Sequence, residues 1–191
     1  GGSSLGFDNA IISLGRGRVM FMTSDPLSII PSLGMKESAW LTVHELASDL
    51  TTSAVPPEFA VLNFNLPPAL TMDDFGLYFR EVSSECRRLG ISIVGGHTGK
   101  YPGCDFTIVG GGFLMGSTQE GRYLTPAMAH GGDSVLITKG AAIETTAVLA
   151  RVFPESVTEK LGESVQRRAA DYLPSCSTVK DALSASSVGI K

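Results

Sequence analysis

Apolar residues gather in two short runs, Ala10–Ser13 and Arg18–Thr23, joined through Gly15-Arg16-Gly17, which predicts two strands and a tight connection. From Met35 to Ala54 the interval changes. Trp40, Val43, Ala47, Leu50 and Ala54 recur at helical spacing, and Pro56–Pro57 ends the run. Phe59, Val61 and Phe64 then mark a strand closed by prolines. Thr71 is placed to cap a second helix, with Asp73 and Asp74 in the first turn, where carboxylates favour the positive end of the helix dipole. Its buried stripe is predicted as Phe75, Tyr78, Val82, Cys86 and Leu89, with Gly90 as terminator. A strand over Ile91–Val94, a glycine-containing loop and a longer glycine-broken strand over Phe106–Met115 follow.

Character changes near Thr125–Asp133. Ser134–Thr138 reads as a strand, and Ile143–Arg151, Glu163–Tyr172 and Thr178–Ala185 as helices. One strand with a few helices cannot close a sheet-based core, so the stretch after Asp133 is expected to be an incomplete second domain. The predicted organisation is one α/β (α+β) domain over residues 1–125 and the start of another over 126–191.

With 191 residues the chain can bury a proper core. A net charge of −4 gives no support for nucleic-acid binding, which needs a basic surface. No apolar run reaches the roughly 20 residues that cross a bilayer, and the first ten residues lack the charged and apolar regions of a signal peptide. Cys86, Cys104 and Cys176 are scattered and odd in number, which implies no disulfide framework and a reducing cytoplasm. They read as small apolar fillers, and His44 and His130 as structural or solvated residues.

The acids carry the chemistry. Asp8 precedes the first strand, Asp25 follows the second, and Asp49 lies late in the first helix, sharing a face with Glu45. Thr42 extends that polar face, opposite the apolar stripe. A single acid at a strand end is ordinarily a turn former or a cap. Oxygens gathered from several segments suit a hard cation such as Mg²⁺, whose shell is completed by phosphates. Neither a GxxxxGK[ST] loop nor a GxGxxG at a strand-to-helix turn occurs. The stretch "IVGGHTGKYPG" adds a glycine pair, an imidazole and a hydroxyl behind an apolar run. Such a pair makes a tight turn, or lets a backbone approach a phosphate that a Cβ would keep away.

Together these segments resemble one family. "GFDNAII" is similar to the "GDDAAV" element of the aminoimidazole ribonucleotide (AIR) synthase superfamily, and "MFMTSDPLS" to its "TTD" strand end. "ELASDLTTSAVPPEFAVLNFNLP" resembles its helix with an "NDL" or "SDL" aspartate and the strand that follows. "VGGHTGKYPGCDFTIVGGGFLMG" resembles its "GGDT" or "GGET" loop and long strand. "TPAMAHGGDSVLITKGAAIETTAVLA" resembles the crossing into the second domain. Within the superfamily, "GGHT" and "KGAAIETTAVLA" look most like relatives of the hydrogenase expression/formation protein. Thiamine-monophosphate kinases and AIR synthases share the same motifs. The reactive Cys or selenocysteine with Lys that marks a selenophosphate synthetase is not visible.

The resemblance implies a mixed sheet with flanking helices, paired with a second copy into a barrel across a homodimer. It implies ATP in a groove by that interface and Mg²⁺ on Asp8, Asp25 and Asp49, with Gly95, Gly96, His97 and Thr98 beside the phosphates. The activity it implies is ATP-dependent phosphorylation of a carbonyl, amide or phosphate oxygen, of the phosphoryl-transfer, dehydration or cyclo-ligase type. The acceptor would be a small molecule or a carbamoyl- or thiocarboxamide-type group on a protein. Strands Arg18–Thr23 and Phe106–Met115 would line the subunit interface.

Departures from the pattern set the alternatives. His97 stands where many relatives carry Asp or Glu, and imidazole is a poor Mg²⁺ ligand. Either fewer metals are held, or His97 donates to a phosphate, or nucleotide binding is lost. The family's glycine-rich N-terminal segment and its "D-x-TEGG" element are not in the chain, so a fragment inactive by itself is expected. The competing function is a dimeric, catalytically degenerate scaffold or partner-binding protein of the same fold.

Overall fold

The computed structural model describes residues 7–189. Five strands, β1 (Ala10–Gly15), β2 (Arg18–Ser28), β3 (Phe59–Leu66), β4 (Ser92–Lys100) and β5 (Ile108–Gln119), form one sheet in the order β1-β2-β5-β3-β4. All pairings are antiparallel except β3 with β4. That parallel pair is joined by helix α2 (Met72–Arg88), while α1 (Met35–Thr51) connects β2 to β3. The mixed sheet with flanking helices is the fold class read from the sequence.

One face of the sheet carries the core. Val19 and Phe21 of β2, Ala60, Leu62, Phe64 and Leu66 of β3, and Val109 and Leu114 of β5 are all buried against α1 and α2. From α1 come Val43, Leu46, Ala47 and Leu50, and from α2 come Phe75, Tyr78, Val82 and Cys86. The α2 stripe therefore follows the spacing, and Thr71 caps that helix by accepting from the Asp74 N–H at 3.0 Å. Phe64 is the aromatic centre, meeting Phe75 and Tyr78 edge-on with ring centroids 5.3 and 6.0 Å away.

Beyond β5 the chain adds α3 (Ile143–Val152), α4 (Pro154–Leu161), α5 (Glu163–Ala170) and α6 (Val179–Ser187). Val179 enters the main core, and Ala147 and Leu173 pack with Leu33 and Leu41 in a second cluster. This C-terminal segment thus lies on α1.

Three expectations about elements are corrected. Ser134–Thr138 is not a strand: among the described residues no strand bonds it, and Val135, Leu136 and Ile137 stand 89%, 82% and 75% exposed. The first helix stops at Thr51, and Ala54 has left it with φ 61°. The "GGHT" stretch is not a loop but part of β4, paired with Val61–Phe64. Gly6 of the "GFDNAII" element lies outside the described residues.

Candidate functional site

A close seat of α1 on the sheet creates the site. At Gly112 of β5 a Cβ would come within 2.7 Å of Leu46 Cδ1 and 2.8 Å of Leu27 Cδ2. Its absence lets Leu46 drop between the strands, which brings the next turn of α1 down toward β2. Gly112 pairs with Asp25, so the helix lowered by one glycine delivers Glu45 and Asp49 to the aspartate beside it. The start of β1 is tied to the same place. Buried Asn9 donates from its side-chain amide to the Asp49 carbonyl and to Thr52 Oγ1, both at 2.9 Å. Thr23 Oγ1 donates to the Asp8 carbonyl at 3.1 Å.

The result is a cavity of about 570 Å³ whose lining includes Asp25, Glu45, Asp49 and, from α3, Glu144. Trp40 and His44, stacked with centroids 4.1 Å apart, form one wall, and among the described residues no Lys or Arg lines the cavity. Asp8 lines an adjoining recess with Asn9 and Thr52. The structure therefore brings together Asp8, Asp25 and Asp49, far apart in sequence.

Electrostatics mark the cavity as unbalanced. Burial, then the charge of Asp8, pushes Asp25 above the usual carboxylate range. Asp49 is raised to about 6 by burial and by Asp25 and Asp8. Glu45 is raised to about 7 by burial, followed by Glu144, Asp25 and Asp49. Like charges in a partly desolvated site disfavour ionisation, and a bound cation would relieve all of them at once. Asn9 Oδ1 adds a buried acceptor with no hydrogen-bond partner among the described residues. These are hard oxygen donors. Among the described residues no three His, Cys, Asp or Glu side chains are grouped closely enough to hold an ion unaided; Mg²⁺ prefers oxygen donors and fills the rest of its shell with phosphates and water.

Glu45 gives a test of this imbalance. Its folded-state pKa lies above the ordinary value of 4.5, so the folded chain holds the proton more tightly than the unfolded chain. Its contribution to stability is full below the unfolded pKa and is lost as pH rises toward 7. Glu45→Gln removes that loss. In metal-free buffer at pH 8 the variant is expected to be more stable by ~1–2 kcal/mol, a figure already reduced for solvent screening. At pH 4.5 the two proteins should unfold alike. Urea melts at both pH values read the difference, and identical melts at pH 8 would count against a strained Glu45.

Gly95, Gly96, His97 and Thr98 are not brought to the acids within one chain. β4 is the far edge of the sheet, separated from β2 by β5 and β3, a distance of roughly 14 Å at ordinary strand spacing. His97 pairs with Asn63, whose neighbours Leu62 and Phe64 point into the core, so His97 lies on the opposite face from the acids. Its Nε2 meets Tyr101 Oη at 2.7 Å. The close approach made possible at Gly96 is to the neighbouring strand: with φ 147°, a Cβ there would fall 1.9 Å from the Leu62 carbonyl oxygen.

Thr42 is also corrected. It is buried, bonded to Tyr78 Oη at 2.8 Å and donating to the Ser28 carbonyl at 3.2 Å, because the helix turns that face toward α2 and β2. Glu144 was not among the expected site residues. Its only local signal is a position in the first turn of a helix, and its approach to Glu45 depends on how α3 packs.

A family model described as AIR synthase related protein, N-terminal domain, matches residues 6–116. The fold is similar to that of AaThiL complexed with AMPPCP and TMP, with a TM-score of 0.70 and 20% identity, covering 91% of this chain and 57% of the other. Thiamine-monophosphate kinase from Stenotrophomonas maltophilia K279a is similar at TM-score 0.67 and 18% identity, covering 97% and 58%. T. maritima PurL complexed with ADP follows at 0.54 and 8%, covering 64% and 20%. The chain thus spans less than two thirds of the length of these proteins. Comparison with curated proteins finds no match.

Proposed function

Because this chain belongs to the AIR synthase related family through residues 6–116, we propose that the acidic cavity takes ATP with Mg²⁺ and serves phosphoryl transfer to an oxygen of a second substrate. The observation that carries this reading is the convergence of Asp25, Glu45, Asp49 and Glu144 on one cavity that no Lys or Arg among the described residues lines. A polyphosphate cannot enter such a field alone, whereas a metal-bound one can. Asp8, Asp25 and Asp49 would hold the metal, with Asn9 Oδ1 as a further oxygen. The metal would supply charge neutralisation on the transferred phosphoryl group. The protein's own part is to place donors, exclude water along the Trp40 wall and keep the acceptor in line.

Residues 1–125 would form the ATP-binding, dimerising domain, and 126–191 the start of a second one. On the sheet face away from the helices, Met22, Met115 and Phe59 stand in one row of partners, and Phe113 and Val61 in the next. Such a face suits pairing with a second copy. The acceptor class remains a carbonyl, amide or phosphate oxygen of a small molecule or of a carbamoyl-type protein group. Three unpaired cysteines agree with a cytoplasmic site of action, and no helix among the described residues is long and apolar enough to cross a membrane.

Calorimetric titration of ATP decides the matter. Binding is expected with Mg²⁺ and is expected to vanish in EDTA. Equal heats under both conditions, or none in either at millimolar nucleotide, would overturn the reading.

A further inference from the structure

On the other side of His44 lies a second arrangement that phosphoryl transfer leaves unused. Ser177 Oγ sits 2.8 Å from His44 Nδ1, and His44 Nε2 sits 3.5 Å from Glu85 Oε2. Glu85 is buried, 6% exposed, and its second oxygen accepts from Arg88 at 2.7 Å. The imidazole is clamped in plane by Trp40. Lys139, anchored to Asp181 at 2.6 Å, donates to the carbonyls of Ser175 and Ser177 and so fixes the serine's backbone. These elements come from α1, α2 and the segment before α6, and they open on a cavity of about 720 Å³.

We propose that Ser177, His44 and Glu85 form a hydroxyl–imidazole–carboxylate relay that makes Ser177 an acyl-accepting nucleophile toward small anionic esters. The roles follow from the atoms. The Glu85 carboxylate, 3.5 Å from Nε2, favours the tautomer with its proton on that nitrogen, which leaves the Nδ1 lone pair facing the serine hydroxyl and able to take its proton. Burial, the largest influence on His44, lowers its pKa and keeps the ring in the neutral form a base needs. Ser177 Oγ attacks the ester carbonyl carbon and its proton passes to His44 Nδ1. The ester C–O bond then breaks and the alcohol leaves with that proton. Water attacks the acyl-serine in turn, its proton returns through His44 to Ser177 Oγ, and the carboxylic acid departs. Glu85 touches no substrate; it is a positioning residue that holds the tautomer.

The pocket sets the substrate class. Arg88 and Lys139 in its lining are already paired with Glu85 and Asp181, so Lys180 is the lining cation offered to a carboxylate, while Trp40, Leu89, Pro174 and Val179 supply apolar wall. A short acyl chain ending in a carboxylate satisfies both.

A fluorophosphonate probe on the intact chain, followed by peptide mass spectrometry, tests the nucleophile directly. The expected adduct is on Ser177, and its absence from folded protein would overturn the proposal without reference to any variant or to ATP binding. Hydrolysis of mono(4-nitrophenyl) succinate should fall on the order of 10³-fold in Ser177→Ala and in His44→Gln. Glu85→Gln should lower the rate constant more than it changes KM, since the carboxylate orients and does not bind. Labelling and hydrolysis unchanged in His44→Gln would mean that the contact merely ties α6 to α1.

Discussion

Gly110→Ala is expected to leave the chain largely insoluble, with any folded fraction destabilised by at least ~4 kcal/mol. A Cβ at this position would lie 1.9 Å from the Asn63 carbonyl oxygen and 3.1 Å from Phe64 Cα. Both are backbone atoms of β3, so no side chain can rotate away. The clash falls in β5, which is bonded to β2 on one side and β3 on the other, and neither neighbour can retreat without opening a ladder. Gly96→Ala meets the same 1.9 Å contact, with the Leu62 carbonyl, but on the edge strand β4. An edge can yield outward, so that variant is expected to fold with a smaller loss. Soluble yield and urea midpoints compare the two, and a Gly110→Ala protein as stable as wild type would show that β5 is not held as described.

The double change Asp25→Asn and Asp49→Asn should separate function from stability. Affinity for Mg²⁺–ATP is expected to drop on the order of 100-fold, since removing two charge-assisted contacts costs about 3 kcal/mol. In metal-free buffer the same variant should melt no lower than wild type. Asp49 is raised to about 6 by burial and by its neighbours, and Asp25 is raised as well, so their charges oppose the fold at neutral pH. Weaker nucleotide binding together with equal or higher stability is the signature of a ligand site. A loss of both would instead mark the aspartates as structural, and unaltered nucleotide affinity would remove them from the site.

Much of this was legible in the residues. Periodicity located α2 and its stripe because each apolar position there meets the sheet directly. The three aspartates could be read as one group because each reads as lying at the edge of an element; in the structure Asp25 instead lies inside β2, which runs on to Ser28 and pairs Asp25 with Gly112. What could not be read depends on packing at a distance. The glycines of "GGHT" look like a turn because a strand with two residues lacking side chains is unusual. Their purpose emerges only when the Leu62 carbonyl is found where a Cβ would be. Thr42 reads as part of a polar face because one helix has one obvious apolar stripe, whereas α1 is covered on two sides, by the sheet and by α2. Ser134–Thr138 has the composition of a strand, but composition does not supply a bonding partner. Ser177 was invisible beside His44 because 133 residues separate them.

The strand order bears on how the polypeptide reaches this shape during synthesis. β1–β2 and β3–β4 are separate ribbons, and β5 alone bridges them although it emerges last of the five. A nascent chain that has not yet released Ile108–Gln119 cannot complete the sheet, however much of it has left the ribosome. Pairing of β5 with the distant β2 is then the step that completes the sheet, and closing so long a loop is intrinsically slow.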